Sequence, residues 1–288
     1  MAATGVILFS SKAVLVKLAY QFQIDELALL LLRMTFALPF YLGVWIYNRK
    51  QWHRNPVSKT DLLYILGIGF VGYYLASYLD FKGLVLISAS LERLILFIYP
   101  TLVLLLSALL LKKPITLKQV SAILVTYLGL FVIFWDSNGI TDAPKADLIT
   151  GSLLIFGCAF TYALYLVGSN FLVDRVGSVR LTTYSLIVSC VAVCIHYSLT
   201  EQISLFSYPW QVYVLGFCMA LFATVIPSFL IVESIRTLGA SNVSIIGSLG
   251  PISTITLSII FLNESLTGLQ TMGALIIIMG VAIVSRTK

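Results

Sequence analysis

Apolar residues run almost unbroken for about twenty positions at a time, and the runs are separated by short clusters of charge, Pro and Gly. Scanned this way, the chain gives ten segments, about 2–20, 27–47, 61–80, 84–111, 117–135, 147–170, 180–200, 210–235, 240–262 and 268–285. Each is near the roughly 20 mostly apolar residues that a helix needs to cross about 30 Å of hydrocarbon. Several connections are only a few residues long, so consecutive helices are expected to be antiparallel neighbours. The pattern predicts an all-α membrane protein of ten transmembrane helices with no soluble domain between them.

The polar punctuation orients the bundle. Arg49, Lys50, Arg54 and Lys59 lie in one loop, and alternate loops after it hold Lys112, Lys113 and Lys118, then Arg175 and Arg180, then Arg236; the tail adds Arg286 and Lys288. The opposite loops carry Asp25, Glu26, Asp80, Lys82, Asp136, Asp142, Lys145, Asp147, Glu201 and Glu264, of which only two are basic. Short cytoplasmic loops carry the Lys and Arg excess, so both termini are expected inside a bacterial inner membrane. Met1 to Gly5 lead into the first run without a basic leader or cleavage site, the pattern of a first membrane helix and not of a signal peptide.

Composition agrees: 59% of the 288 residues are hydrophobic and 10% charged, which excludes an ordinary soluble domain. The net charge of +6 is scattered over short loops and forms no basic face for nucleic acid. Cys158, Cys190, Cys194 and Cys218 all fall inside apolar runs and read as packing residues. There is no phosphate-binding glycine loop, HExxH, GxSxG or metal-ligand cluster. The sequence is therefore read as a non-enzyme without cofactor or metal, and as no transport ATPase.

Sliding the chain by 151 positions lays Ser77–Val132 on Ser228–Ile283 without a gap. Ala89-Ser90 falls on Ala240-Ser241, Pro100 on Pro251, Gln119 on Gln270 and Gly129 on Gly280. Each half, 1–135 and 147–288, holds five crossings. An odd number turns the second half upside down, and such inverted repeats have two nearly equivalent arrangements, one open to each side.

Two five-helix halves, each with an Ala-Ser entry, a mid-helix proline (Pro100, Pro251), a polar pair at a helix end (Lys112-Lys113, Asn263-Glu264) and a glycine in the last helix (Gly129, Gly280), resemble the EamA domains of the drug/metabolite transporter superfamily. The resemblance spans the whole chain and implies the fold, the transporter class and the export direction. Lys113 departs from it, standing where the family has the glutamate seen at Glu264.

Ionisable groups within the apolar runs are the informative ones, because each costs several kcal/mol by some estimates unless paired or wet. Lys12, Lys17, Arg33, Glu92 and Arg93 share one zone in the outer part of the first half, four cations against one carboxylate. They are candidate substrate-binding groups, with a structural ion network and snorkelling lysines as the alternative. Pro100 and Pro251 are candidate gating bends. Tyr99, Tyr162 and Tyr165 are candidate cavity residues, as are Asn242 and Ser248 in helix 9. Tyr73, Tyr74 and Tyr78 also lie within spans, and His196 is a candidate proton-coupling group. Trp45, Trp52, Trp135 and Trp210 sit at segment ends as interfacial anchors.

The reading is a secondary transporter that exports a small organic metabolite bearing a carboxylate or phosphate, such as an amino acid, by alternating access, its partners being that substrate and the lipid bilayer. A lipid flippase, or a membrane enzyme using the Glu92 and Arg93 region, is the alternative.

Overall fold

The computed structural model describes residues 1–87, 92, 95–135, 145–200, 205, 207–250, 252–254, 256–257 and 268–285. In chain order its helices are α1 (Ala2–Tyr20), α2 (Glu26–Arg54), α3 (Lys59–Leu86), α4 (Tyr99–Leu110), α5 (Leu117–Trp135), α6 (Lys145–Val176), α7 (Ser178–Thr200), α8 (Trp210–Leu238), α9 (Ala240–Ile246) and α10 (Gly268–Ser285). No strand occurs among the described residues. Six of these helices, α1, α2, α3, α6, α7 and α8, are long and apolar enough to cross a membrane.

The helices start where local chemistry satisfies their free amides. Asp25 Oδ1 accepts from the Leu27 and Ala28 amides at 2.8 and 3.1 Å, and Ser58 Oγ accepts from the Asp61 amide at 3.0 Å. Gly239, at φ +80°, ends α8 in a conformation that other residues rarely adopt, and the Ala240 amide that opens α9 donates to Asn170 Oδ1 at 2.9 Å. Large apolar side chains such as Leu63, Leu109, Leu153 and Leu199 point outward. In water such a surface would aggregate; in lipid it is the solvent-facing side.

Two departures from the sequence reading bear on function. The third segment, expected to end at Asp80, continues as helix to Leu86, so Asp80 lies inside a span and not in an outer loop. Its charge does not break the helix because a lysine on α1 compensates it. The fourth segment is not one kinked helix: Phe97 and Ile98 form a turn, and Pro100 stands in the first turn of α4, where its missing amide costs no helical hydrogen bond. Pro251 lies outside the described residues, but the chain just before it also changes, from α9 into a 3-10 turn at Gly247–Leu249.

Both α3 and α8 carry a π-helical turn, Phe70–Leu75 and Leu221–Val225, and these turns begin 151 positions apart. In α8 the Thr224 hydroxyl donates to the Met219 carbonyl, five residues back, at 3.0 Å, holding the widened turn. In α3, Gly72 lets the backbone approach α6 so closely that an added Cβ would overlap the Tyr165 Cβ.

Helices α5 and α10 pack through glycine. A Cβ at Gly129 would lie 2.7 Å from the Gly273 carbonyl oxygen and 2.8 Å from Ile277, and one at Gly280 would lie 2.6 Å from Thr126 and 3.1 Å from the Ala122 carbonyl oxygen. Ascending α5 from Ala122 to Gly129 therefore descends α10 from Gly280 to Gly273, so the pair is antiparallel. Gly129→Val and Gly280→Val are each expected to lower stability by roughly 1–3 kcal/mol, the usual cost of overpacking. Gly43→Ala, with open space around it, is expected to be neutral or slightly stabilising; thermal melts of the purified variants in detergent check all three.

Candidate functional site

The bundle encloses a cavity of about 60 Å³ where α1, α2, α3, α4, α6 and α8 converge with the turn that follows α9. Its polar lining includes Lys12, Arg33, Ser77 and Tyr99; Phe9, Phe97, Tyr73 and Tyr162 supply aromatic faces. Thus Lys12, Arg33, Tyr99 and Tyr162, singled out in the sequence, meet in one place.

Lys12 is buried, 4% exposed, and its Nζ lies 2.5 Å from Asp80 Oδ2, with the Asp80 side chain wholly enclosed. This is the partner that the charge count omitted: the zone holds Asp80 as well as Glu92, so its positive excess is smaller than the sequence implied. The repeat register held the signal for Asp80, since its mate Ile231 stands in the middle of an apolar run.

Arg33 is 2% exposed. Its Nη2 donates to Ser77 Oγ at 2.8 Å, its guanidinium carbon lies 5.2 Å from the Phe81 ring centre, and its Nε has no hydrogen-bond partner. A guanidinium held by one hydroxyl and a ring face keeps donors in reserve, and planar donors match a carboxylate well.

Around these charges the tyrosines form a chain of rings. Tyr162 stacks on Phe9 at 5.9 Å and meets Tyr99 edge-on at 5.5 Å; Tyr165 lies 6.3 Å from Tyr162 and 4.6 Å from Tyr73. Tyr165 is fully buried behind the lining, packed against Gly72. Ser77, Phe9 and Gly247 were not anticipated; small or apolar, they carry no mark in a sequence already rich in such residues.

The remaining candidates lie elsewhere. Lys17, half-buried on another face of α1, is not part of the cavity wall. Glu92 is fully buried, while Arg93 lies outside the described residues. Ser248 is buried in the 3-10 turn, whose neighbour Gly247 lines the cavity. Asn242 borders a second cavity of about 250 Å³, with Lys113, Gln119 and Asn170, where its Oδ1 accepts from Gln119 Nε2 at 3.2 Å. His196 lies apart from both, hydrogen-bonded to Tyr74 at 3.0 Å and edge-on to Tyr78.

Tyr99 lines the first cavity and bonds to α9, whose first turn lines the second. Its hydroxyl donates to the Ser244 carbonyl at 3.1 Å, passing over Gly247 so closely that any Cβ there would collide with it. Along the chain from α9, Asn242 faces the second cavity, Ser244 takes the tyrosine, and Gly247 and Gly250 face the first.

An all-helical bundle with an apolar exterior and charges sealed inside is an integral membrane protein. The chain belongs to the EamA-like transporter family, which matches residues 1–135 and 149–286. It is 31% identical over 273 residues to the "Uncharacterized transporter YcbK" of Bacillus subtilis (strain 168), covering 93% of this chain and 86% of that one. It is 28% identical over 230 residues to the "Uncharacterized transporter YyaM" of the same organism, covering 79% and 74%. A solved crystal structure superposes with a TM-score of 0.79 at 16% identity, over 99% of this chain and 96% of that chain, a likeness of fold alone.

Two outcomes test this geometry. Asp80→Ile alone strands a buried ammonium and is expected to cost about 3–5 kcal/mol, whereas Lys12→Ala/Asp80→Ile removes both charges and should cost much less; equal losses in thermal melts would mean that the two do not act as a pair. Gly247→Ala is expected to lower the melting temperature by displacing the Tyr99 ring, and Tyr99→Ala in the same chain to restore part of the loss.

Proposed function

We propose that the protein is a secondary transporter of the bacterial inner membrane, built as two five-helix inverted repeats, 1–135 and 147–288, that exports a small carboxylate-bearing metabolite such as an amino acid by alternating access. The observation that carries this reading is the cavity inside the bundle lined by Lys12 and Arg33, walled by helices from both ends of the chain and bounded by interrupted helices. Charges are retained in hydrocarbon where they face a pathway, and broken segments at a repeat interface are where transporter sites form.

Support for the repeat comes from register. The two π turns, the turn at Phe97–Ile98 with the 3-10 turn at Gly247–Leu249, and the reciprocal glycine contacts of α5 and α10 all keep the 151-residue offset. Reciprocal contacts are what a two-fold relation produces, and because α5 and α10 are antiparallel, the axis runs across them, in the membrane plane. The two matched family segments, 1–135 and 149–286, favour the same division.

The cavity of about 60 Å³ has room for only a few waters and is well below the ~300 Å³ at which small-molecule sites begin. Entry therefore needs the halves to part. Separation of α4 from α9 breaks the Tyr99–Ser244 bond and joins the first cavity to the second, which opens beside Lys113 and Thr116 in a loop on the cytoplasmic side of the proposed topology. Pro100 and Pro251, beside the interruptions, are the proposed gating positions. Once inside, a carboxylate meets the spare donors of Arg33, and the apolar remainder meets Phe9, Tyr99 and Tyr162. With Lys12 neutralised by Asp80, the pull on an anion falls mainly to Arg33.

Efflux from proteoliposomes loaded with a panel of amino acids, nucleosides and phosphate esters tests the function. Arg33→Gln is expected to lower efflux of the transported carboxylate about tenfold or more, equivalent to ~1.4 kcal/mol or above, while the protein stays folded. Unchanged efflux would make Arg33 structural. For the topology, cysteines placed in the Arg49 to Lys59 loop should resist an impermeant thiol reagent applied outside intact cells, and cysteines in the turn before Asp25 should react.

A further inference from the structure

Three carboxamides and one ammonium group meet at the second cavity, which lies where the end of α4 and the connection to α5 face the α8–α9 junction, with Asn170 of α6 completing the wall. The Thr116 backbone amide donates to Gln119 Oε1 at 3.1 Å, Gln119 Nε2 donates to Asn242 Oδ1 at 3.2 Å, and Asn242 Nδ2 donates to the Leu238 carbonyl at 3.0 Å. A backbone donor at one end and a backbone acceptor at the other fix the direction of the whole chain of bonds. Asn170 is oriented in the same way, its Oδ1 taking the Ala240 amide at 2.9 Å. All three amide oxygens therefore serve the protein's own donors. What the cavity has left to offer is protons: the Asn170 Nδ2 group, the second hydrogens of Gln119 Nε2 and Asn242 Nδ2, and the Lys113 ammonium, which forms no ion pair among the described residues.

Ser107 is an independent sign. A serine within a helix can return its hydroxyl to a carbonyl one turn back, as Ser10 does to Val6 at 2.7 Å and Ser253 to Leu249 at 3.0 Å. Ser107 does not. It lines the second cavity, is 3% exposed, and its Oγ has no hydrogen-bond partner. A buried hydroxyl left in this state is unfavourable, and a ligand that pairs with it removes the penalty.

We propose that the second cavity is a binding site in its own right, for the carboxylate of the outgoing metabolite, which is held there on the cytoplasmic side before it enters the first cavity. This rests on the export reading above and adds a loading step to it. The carboxylate accepts from the Lys113 ammonium, Asn170 Nδ2 and Ser107 Oγ, while Leu104, Ile115 and Leu238 cover the apolar remainder. Charge sets the class of ligand. Among the described lining residues Lys113 alone is charged, so it balances a carboxylate and would leave a phosphate dianion half neutralised. Size agrees: the second cavity holds about 250 Å³ against about 60 Å³ in the first, close to the ~300 Å³ at which small-molecule sites begin. A small metabolite is thus accommodated here before the halves part.

Protection of Lys113 from acetylation tests the site. Purified protein in lipid nanodiscs is pulsed with an amine-acetylating reagent in sodium propionate, propionamide or sodium chloride at matched ionic strength, and each lysine is followed by peptide mass spectrometry. Propionate is expected to slow acetylation of Lys113 severalfold and to leave Lys59 and Lys118, exposed outside the cavity, unchanged; propionamide and chloride should protect none of them. Ser107→Ala removes a hydroxyl that bonds to nothing and is expected to fold. It should weaken the protection without changing the rate at Lys113 in chloride. Equal protection by chloride, equal protection of all three lysines, or protection indifferent to Ser107→Ala overturns the proposal. In the efflux assay, Lys113→Gln should raise the substrate concentration for half-maximal rate severalfold and leave the maximal rate unchanged; an unchanged concentration dependence overturns the loading step. Failure of the efflux panel with Lys113 protected as expected would instead overturn the export reading and leave a carboxylate site.

Discussion

A lysine ammonium and an arginine guanidinium held within an apolar bundle set the terms for the rest of this structure. Neither can be left bare in hydrocarbon. Lys12 takes Asp80 from α3, and Arg33 takes Ser77 and the ring of Phe81 from the same helix. These contacts tie α1 and α2 to the C-terminal half of α3, and they allow a carboxylate to stand inside a span.

Glycine does the complementary work. In a membrane, helices gain little from hiding apolar surface, so close packing and interhelical hydrogen bonds hold them together. Gly72 brings α3 against Tyr165, Gly129 and Gly280 lock α5 to α10, and Gly247 leaves the space through which Tyr99 reaches Ser244. The third is a hydrogen bond over a bare backbone between two helices that also bury Val103, Leu104, Val243 and Ile245.

The backbone devices keep the 151-residue offset and the chemistry does not. The π turns and the turns at Phe97–Ile98 and Gly247–Leu249 are in register, whereas Asp80 and Glu92 fall on Ile231 and Val243. The cavity lining is correspondingly lopsided, with Lys12, Arg33 and Ser77 on α1 to α3 and apolar or aromatic residues such as Cys158, Tyr162, Ala223 and Ile231 on α6 and α8.

The sequence alone determined the lipid-facing class, the family and six of the spans, because hydrophobic length is a property of the linear chain. It also marked Lys12, Arg33, Tyr99 and Tyr162, since a charge or hydroxyl in an apolar run is conspicuous wherever the helix lies. It misjudged Asp80, because a carboxylate beside Lys82 and Gly83 reads as a loop until the cation that neutralises it, 68 positions away, is brought alongside. It likewise merged Lys17 with the cavity group, although Lys17 turns to another face. Which charges meet, which proline opens a helix instead of bending one, and which carbonyl a buried tyrosine reaches are matters of three-dimensional neighbourhood. Only the packed bundle decides them, because the energy of a buried charge depends on what stands within a few ångströms and not on its place in the chain.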